Sequence, residues 1–233
     1  MGKIHSIQTL GATDGPGVRF TVFVQGCPLR CACCHNPDTW DFNGGNETSA
    51  DELVKKAERY KEYFGTDGGV TVSGGEPLLQ AEFVAELFKL CHQKGINTCL
   101  DTSGCVLNEN VKKLLEQTDL VMLDIKYTSE EKYKKFVGCS FATILEFLKY
   151  LEATQKPYYI RQVIIPGLND KDEDIAELKS LLNGKKFLKK IELLPFKKLC
   201  EVKYDSLNIE FPLKNTPEPS AAQMQRLNKL LND

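Results

Sequence analysis

Four cysteines lie close together near the start of the chain, and their spacing could hold a metal centre. Cys27, Cys31 and Cys34 form the pattern C-x3-C-x2-C, with Cys33 inside it. Three thiolates on one short loop can bind one face of a cubane iron–sulfur cluster, because soft sulfur ligands suit iron in that form. Three protein ligands for four irons would leave one iron open to a substrate, as catalytic metal sites leave a position open.

A zinc knuckle made of Cys27, Cys31, Cys34 and His35 is the alternative metal site. Structural zinc sites usually combine two short ligand arms, and the sequence contains no second arm. The spacing therefore favours the open cluster. We predict that Cys33 is not a ligand, because adjacent side chains point in different directions. The other five of the nine cysteines are scattered, and we predict that they are small buried hydrophobic residues.

The composition is typical of a globular protein, and its net charge does not favour binding to nucleic acid or to anionic membranes. The 30 basic and 32 acidic residues give a net charge of −2, so no basic field favours nucleic acid or an anionic membrane. The apolar runs are too short to cross a bilayer, and no secretory signal is recognisable at the start. We therefore expect a cytoplasmic, monomeric protein, in which clustered cysteines indicate metal binding rather than disulfides.

Six short apolar runs alternate with amphipathic stretches, and no repeat or low-complexity linker divides the chain. The pattern is typical of parallel strands covered by helices on their faces. It predicts an α/β fold with a single domain over residues 1–233, a partial (β/α)6 TIM-like barrel that is open on one side. The candidate strands are residues 19–25, 69–73, 97–101, 120–125, 158–165 and 190–194, and the candidate helices are 48–63, 80–94, 109–117, 143–153, 172–182 and 220–231.

Polar residues should cluster at the carboxyl ends of the strands, where barrels of this kind place their chemistry. The first candidate strand leads into the cysteines, and the fifth carries Arg161 in an otherwise apolar run. Because a buried arginine is rarely left unpaired, we expect Arg161 to face the site. The other strand ends carry Ser73-Gly74-Gly75-Glu76-Pro77, Asp101-Thr102-Ser103-Gly104, Asp124-Ile125-Lys126 and Pro195-Phe196-Lys197.

Several of these segments carry a resemblance to a known family. The stretch CPLRCACCHN at 27–36 resembles the signature of radical S-adenosylmethionine (SAM) enzymes. The segments DGPGVR at 14–19 and NPDTWD at 36–41 resemble a narrower group, the activating enzymes of glycyl-radical enzymes, and most of all those that act on pyruvate formate-lyase. Further matches occur in the same order, namely SGGEP at 73–77, CLDT at 99–102, VMLDIK at 121–126 and IELLP at 191–195.

The resemblance implies a function. In the family, a [4Fe–4S] cluster held by the positions of Cys27, Cys31 and Cys34 binds SAM at its open iron. Reductive cleavage of SAM gives methionine and a 5′-deoxyadenosyl radical, which removes hydrogen from a glycine Cα of the partner enzyme. The implied partners are pyruvate formate-lyase, entering through the open side of the barrel, and flavodoxin or ferredoxin as electron donor.

The resemblance also implies which residues contact SAM. Gly74 and Gly75 would let the backbone approach its methionine end, where a Cβ would clash. Two positions depart from the family pattern, since Cys33 replaces an aromatic residue and Lys197 replaces a histidine. The implied contacts are Cys33, Cys34, His35, Gly74, Gly75, Glu76, Asp101, Asp124, Ile125, Lys126, Arg161 and Lys197. A monovalent cation is implied at Asp101, Thr102, Met122 and Asp124.

Two other functions remain open at this point. One is a radical SAM enzyme that acts on a small molecule, and the other is a non-catalytic iron–sulfur or zinc module. A simple module would have no use for Gly75, Asp101, Asp124 and Lys126 at strand ends. Residues 43–68 contain no cysteine, which predicts one cluster and no ferredoxin-like insert.

Overall fold

The computed structural model describes residues 1–233 and contains one sheet of eight strands. The strands are β1 (Gly2–Gly11), β2 (Arg19–Val24), β3 (Asn46–Thr48), β4 (Gly69–Gly74), β5 (Asn97–Thr102), β6 (Leu120–Asp124), β7 (Tyr158–Ile164) and β8 (Leu188–Pro195). Their order across the sheet is β3-β1-β2-β4-β5-β6-β7-β8. The six strands β2, β4, β5, β6, β7 and β8 are parallel, whereas β1 is antiparallel to β2 and β3.

Helices follow most of the parallel strands and cover the sheet. They are α1 (Ala50–Glu58), α2 (Ala81–Gln93), α3 (Glu109–Glu116), α4 (Glu130–Phe136), α5 (Phe141–Ala153), α6 (Asp172–Leu182), α7 (Glu201–Ser206) and α8 (Ala221–Asn232). None of them is both long enough and apolar enough to cross a lipid bilayer.

The predicted open (β/α)6 barrel is confirmed. The edge strands of the sheet are β3 and β8, and they do not pair with each other, so the barrel stays open between them. The central strands β4 and β6 are buried along almost their whole length, which explains why they form continuous apolar runs in the sequence.

The sequence did not predict β1, β3, α4 or α7. Most residues of β1 are partly or fully exposed, so the strand lacks the apolar signal of its neighbours. The helices α4 and α7 are short and bury one residue each, Tyr133 and Tyr204, so neither has a periodic apolar face.

The first predicted helix is shorter than expected. It ends at Glu58 instead of near Tyr63, and a separate 3-10 turn covers Lys61–Tyr63. Ser49 and Glu52 have the spacing of a capping box, but only half of the box is formed. Ser49 Oγ accepts a hydrogen bond from Glu52 N at 3.2 Å, but the Glu52 carboxylate turns to Lys56 at 2.8 Å.

The amino ends of the parallel strands are closed by a buried arginine. The Arg19 side chain is inaccessible to solvent and donates to Thr71 Oγ1 at 2.9 Å, Asn97 Oδ1 at 3.0 Å and Val70 O at 2.8 Å. The neighbouring Asp14 carbonyl accepts from Thr71 Oγ1 at 2.7 Å. Because the Arg19 side chain fills the barrel at the amino ends of the strands, the polar carboxyl ends form its accessible side.

Candidate active site

The segment 25–41, here called the cluster loop, connects β2 to the rest of the chain and carries the four clustered cysteines. Its ends are joined by a hydrogen bond from Gly26 N to Thr39 O at 2.8 Å. Its middle is tied to the end of α4, because Arg30 N donates to Val137 O at 2.9 Å and Ala32 N to Phe136 O at 2.8 Å. The loop is therefore held by main-chain bonds on both sides of the cysteines.

The thiols of this loop lie in a largely apolar setting. Burial raises the pKa of Cys27 to about 12 and also raises the pKa values of Cys31 and Cys34. Burial raises the pKa of Cys31 in particular, while the nearby Lys126 ammonium acts in the opposite direction. The free thiols are thus protonated at neutral pH, and iron binding would release their protons. Soft, buried thiols beside a cation suit the ligand set of an iron–sulfur cluster.

The alternative zinc knuckle is not formed. His35 Nε2 lies 3.0 Å from the Lys197 carbonyl oxygen, so this nitrogen is engaged outside the thiol group. No three histidine, cysteine or acidic side chains of the structure converge on a point where one metal ion could bind. Ligands of a cubane need no such convergence, because each thiolate binds an iron at its own corner.

The two glycines after β4 allow the chain to pack against the start of the cluster loop. A Cβ on Gly75 would lie 2.3 Å from Gly26 O, and one on Gly74 would lie 2.5 Å from Val24 N. Gly74 also has a φ of +106°, which side chains rarely adopt. The expected close approach of these glycines to SAM stays a prediction that this packing does not test. The neighbouring backbone already requires glycine at both positions.

The Glu76 carboxylate joins the turns after β4 and β5. Its Oε1 accepts from Leu78 N at 3.1 Å and from Thr102 Oγ1 at 2.5 Å, and its Oε2 accepts from Ser103 N at 3.1 Å and from the Ser103 hydroxyl. Burial raises the pKa of Glu76, and these hydrogen bonds act against that increase. Glu76 therefore holds the two turns in place, and its implied contact with SAM stays a prediction.

Four charged side chains form a network at the ends of β5, β6 and β7. Arg161 donates to Asp101 through Nη2 and to Asp124 Oδ1 through Nε at 3.0 Å, and Lys126 Nζ lies 2.5 Å from Asp124 Oδ2. Burial alone would raise the pKa of Asp124, but the Arg161 and Lys126 charges prevail and lower it. The expectation that Arg161 is paired is confirmed, and its facing the cofactor stays a prediction.

The side chains at the implied monovalent-cation site already have partners within the protein. Arg161 bridges the two carboxylates of Asp101 and Asp124, and with Lys126 it already balances their charge. The Thr102 hydroxyl donates to Glu76, and Met122 is buried beside Cys99 and Leu120. The cation site stays a prediction that these pairings do not test.

Two other implied SAM contacts are placed differently from the expectation. The Ile125 side chain is fully buried in the core, and its amide donates to Arg161 O at 3.0 Å. Lys197 Nζ pairs with Glu218 Oε2 at 2.8 Å on the surface. The Lys197 carbonyl, and not its ammonium group, therefore meets the cluster loop at His35.

Sequence reasoning missed residues that fix the Lys126 backbone. The Tyr133 hydroxyl accepts from Lys126 N at 3.0 Å, and Asn169 Nδ2 donates to Lys126 O at 3.3 Å. Tyr133 is in one of the unpredicted helices, and Asn169 is a buried amide in the turn after β7. A buried asparagine beyond a strand end was the one local signal that could have indicated such a role.

Comparisons with known proteins identify the family of the chain. The Radical SAM superfamily profile matches residues 21–178. The chain is 44% identical over 234 residues to the pyruvate formate-lyase-activating enzyme of Clostridium pasteurianum, covering 100% of this chain and 98% of that protein. It is 42% identical over 234 residues to the pyruvate formate-lyase 1-activating enzyme of Escherichia coli K12, covering 99% of this chain and 95% of the relative.

Solved structures show the same fold. A domain of the pyruvate-formate lyase-activating enzyme from Bacteroides vulgatus superimposes with a TM-score of 0.60 at 28% identity, covering 71% of this chain and 94% of that one. Streptococcus suis SuiB bound to S-adenosylmethionine superimposes with a TM-score of 0.70 at 17% identity, covering 89% of this chain and 44% of that one, which supports the fold alone. The chain belongs to the radical SAM superfamily and, within it, to the family of pyruvate formate-lyase-activating enzymes.

Proposed function

We propose that this chain is an activase that cleaves SAM reductively at a [4Fe–4S] cluster and generates a glycyl radical on pyruvate formate-lyase. The observation that carries the proposal is the position of Lys126. Its ammonium group pairs with Asp124 Oδ2 at 2.5 Å in the strand-end network, and it is near enough to Cys31 and Cys33 for its charge to favour their thiolates. A cluster on the loop and a cofactor at the strand ends would therefore share one site.

The three thiolates of Cys27, Cys31 and Cys34 would hold the cluster and leave one iron without a protein ligand. When bound, the reduced cluster supplies the electron that splits the sulfonium of SAM into methionine and a 5′-deoxyadenosyl radical. Lys126 is the cation that would bind the SAM carboxylate, and Asp124 is the acceptor that would bind its amino group or ribose. Arg161 keeps Asp124 ionised for this purpose.

The remaining contacts are assigned from their positions around the same opening. Cys33 is buried beside Lys126, and His35 borders the site where the adenine would lie. The main chain of Gly74 and Gly75 would approach the methionine end of SAM, while Glu76 keeps their turn in position. The chain over residues 1–233 acts as one domain with one cluster, and β3 and α1 lie within the segment where related activases carry a further insert.

The proposed partners follow from the chemistry of the site. The unpaired edges of the sheet leave an opening through which the glycine loop of pyruvate formate-lyase could reach the strand ends. A cluster that reduces a sulfonium needs a low-potential one-electron donor, and flavodoxin or ferredoxin fits that need. We assign the active form to a monomer in the cytoplasm.

The test is anaerobic reconstitution with iron and sulfide, followed by reduction and addition of SAM, with and without pyruvate formate-lyase. We expect 5′-deoxyadenosine and, by electron paramagnetic resonance, a glycyl radical on the partner. The matched control is pyruvate formate-lyase with its radical-bearing glycine replaced by alanine, which should give no radical. Cleavage without a partner radical would favour a small-molecule substrate, and absence of cleavage would favour a non-catalytic module.

A further inference from the structure

Helix α7 contacts the cluster loop through Tyr204. The Tyr204 side chain is fully buried, and its hydroxyl donates to Cys34 O at 3.2 Å. Its ring meets Trp40 edge-on with 5.9 Å between centroids, and on the other side it packs against Phe211 at 4.8 Å. A residue 170 positions away in sequence therefore holds the carbonyl of the third cysteine.

The preceding residue, Lys203, contacts the same part of the loop from the side. Its Nζ donates to Asn36 Oδ1 at 2.9 Å and lies 3.0 Å from Asp38 Oδ2. Asn36 in turn donates its main-chain N–H to Cys34 Sγ at 3.4 Å. Lys203 thus anchors the residue that provides a hydrogen bond to the sulfur of Cys34.

The charge of Lys203 also has a direct effect near Cys34. Asp38 carries a negative charge two residues beyond Asn36, whose main-chain N–H donates to Cys34 Sγ. Lys203 offsets this charge, and His5 Nε2 lies 3.3 Å from Asp38 Oδ2 on the other side. Net charge and hydrogen bonds to sulfur are two factors that determine the reduction potential of an iron–sulfur cluster.

We propose that Lys203 and Tyr204 are positioning residues that orient Cys34 and determine how easily its cluster is reduced. The inference rests on the proposed role of Cys34 as a cluster ligand. Lys203 acts through Asn36 and by neutralising Asp38, and Tyr204 acts through the Cys34 carbonyl. Neither side chain needs to touch the cluster or SAM.

The proposal predicts opposite effects for the two charges. Replacing the cation in Lys203→Met leaves Asp38 uncompensated, so the cluster becomes harder to reduce. Replacing the anion in Asp38→Asn makes it easier to reduce. Because these charges are partly exposed, we expect a change of about two- to fivefold in the reduced fraction at a fixed applied potential. A loop that is simply damaged would not respond with opposite signs.

The experiment is a potentiometric titration of the reconstituted protein, followed by electron paramagnetic resonance of the reduced cluster. Lys203→Arg should restore the wild-type midpoint. The matched control is Lys198→Met, because Lys198 Nζ donates to Lys214 O and does not contact the cluster loop. Equal midpoints in all variants, or shifts of Lys203→Met and Asp38→Asn in one direction, would overturn the proposal.

A second measurement needs no cluster. In the metal-free protein, Tyr204→Phe should increase the rate of alkylation of Cys34, followed by mass spectrometry, by about fivefold, because one hydrogen bond no longer holds its backbone. The alkylation rate of Cys91, which lies on α2, should stay unchanged. An unchanged rate at Cys34 would contradict the role of Tyr204. A wild-type protein that binds no cluster would instead overturn the ligand assignment of the proposed function.

Discussion

Arg161 Nε donates to Asp124 Oδ1 at 3.0 Å, across a register in which these two residues are paired on adjacent strands. The contact brings a cation from β7 to the end of β6, beside Lys126. It keeps Asp124 charged in a place where burial alone would favour its neutral form. The charge of Asp124, the proposed hydrogen-bond acceptor for SAM, thus depends on the buried Arg161.

Removing this arginine should destabilise the fold and the site together. Arg161→Met leaves Asp101 and Asp124 buried without their shared cation, and we expect a loss of about 3 kcal/mol in the free energy of unfolding. Urea denaturation of the metal-free protein measures it. The control is Lys190→Met, which breaks the exposed pair with Glu192 and should cost less than about 0.5 kcal/mol. Similar losses in the two variants would contradict the proposed role of the network.

A methyl group at Gly75 should disturb the cluster loop. In Gly75→Ala the new Cβ would meet Gly26 O at 2.3 Å, and main-chain atoms can move only together with the loop. We expect a loss of about 2 kcal/mol in the free energy of unfolding and poorer cluster assembly. Gly65→Ala is the control, because its Cβ would lie in open space. Only the φ of +60° at Gly65 opposes this substitution, and we expect it to lower the free energy of unfolding by about 1 kcal/mol. Iron content after reconstitution should fall in Gly75→Ala alone.

The four clustered cysteines should separate into ligands and a non-ligand. Cys31→Ala is expected to abolish the cluster because it removes one of three thiolates. Cys33→Ala should retain iron and sulfide at the wild-type ratio, since it leaves the three proposed ligands Cys27, Cys31 and Cys34 in place. Iron and sulfide analysis with absorption spectroscopy checks both variants. Loss of the cluster from Cys33→Ala would show that the ligand assignment is wrong.

The stability of the metal-free protein should fall at high pH because of buried thiols. Burial raises the pKa of Cys99 from 9.0 to about 12. A folded pKa above the unfolded one means that this stability is complete below pH 9 and is lost as the pH rises towards 12. Between pH 8 and pH 10 this thiol should account for about 1 kcal/mol. Anaerobic urea titrations should show a smaller decrease in Cys99→Ala than in the wild type, and equal decreases would contradict the prediction.

Much of the fold and of the site could be read from the sequence because the signals were local. The central parallel strands β4 and β6 are buried on both faces, so each is a visible apolar run. Strands of one direction place the residues after them on one side of the sheet. The spacing of Cys27, Cys31 and Cys34 needs no tertiary information to indicate a cluster. The exposed strand β1 and the short helix α7 carry no such local signal.

The sequence by itself determined the open barrel, the cysteine loop and the set of polar strand ends. Only the tertiary structure decided how those residues are paired. Arg161 is 37 residues from Asp124 and 60 from Asp101, and Tyr204 is 170 from Cys34. Pairing at such separations depends on strand register and on how the last segment folds back, and neither is encoded in the spacing of neighbouring residues.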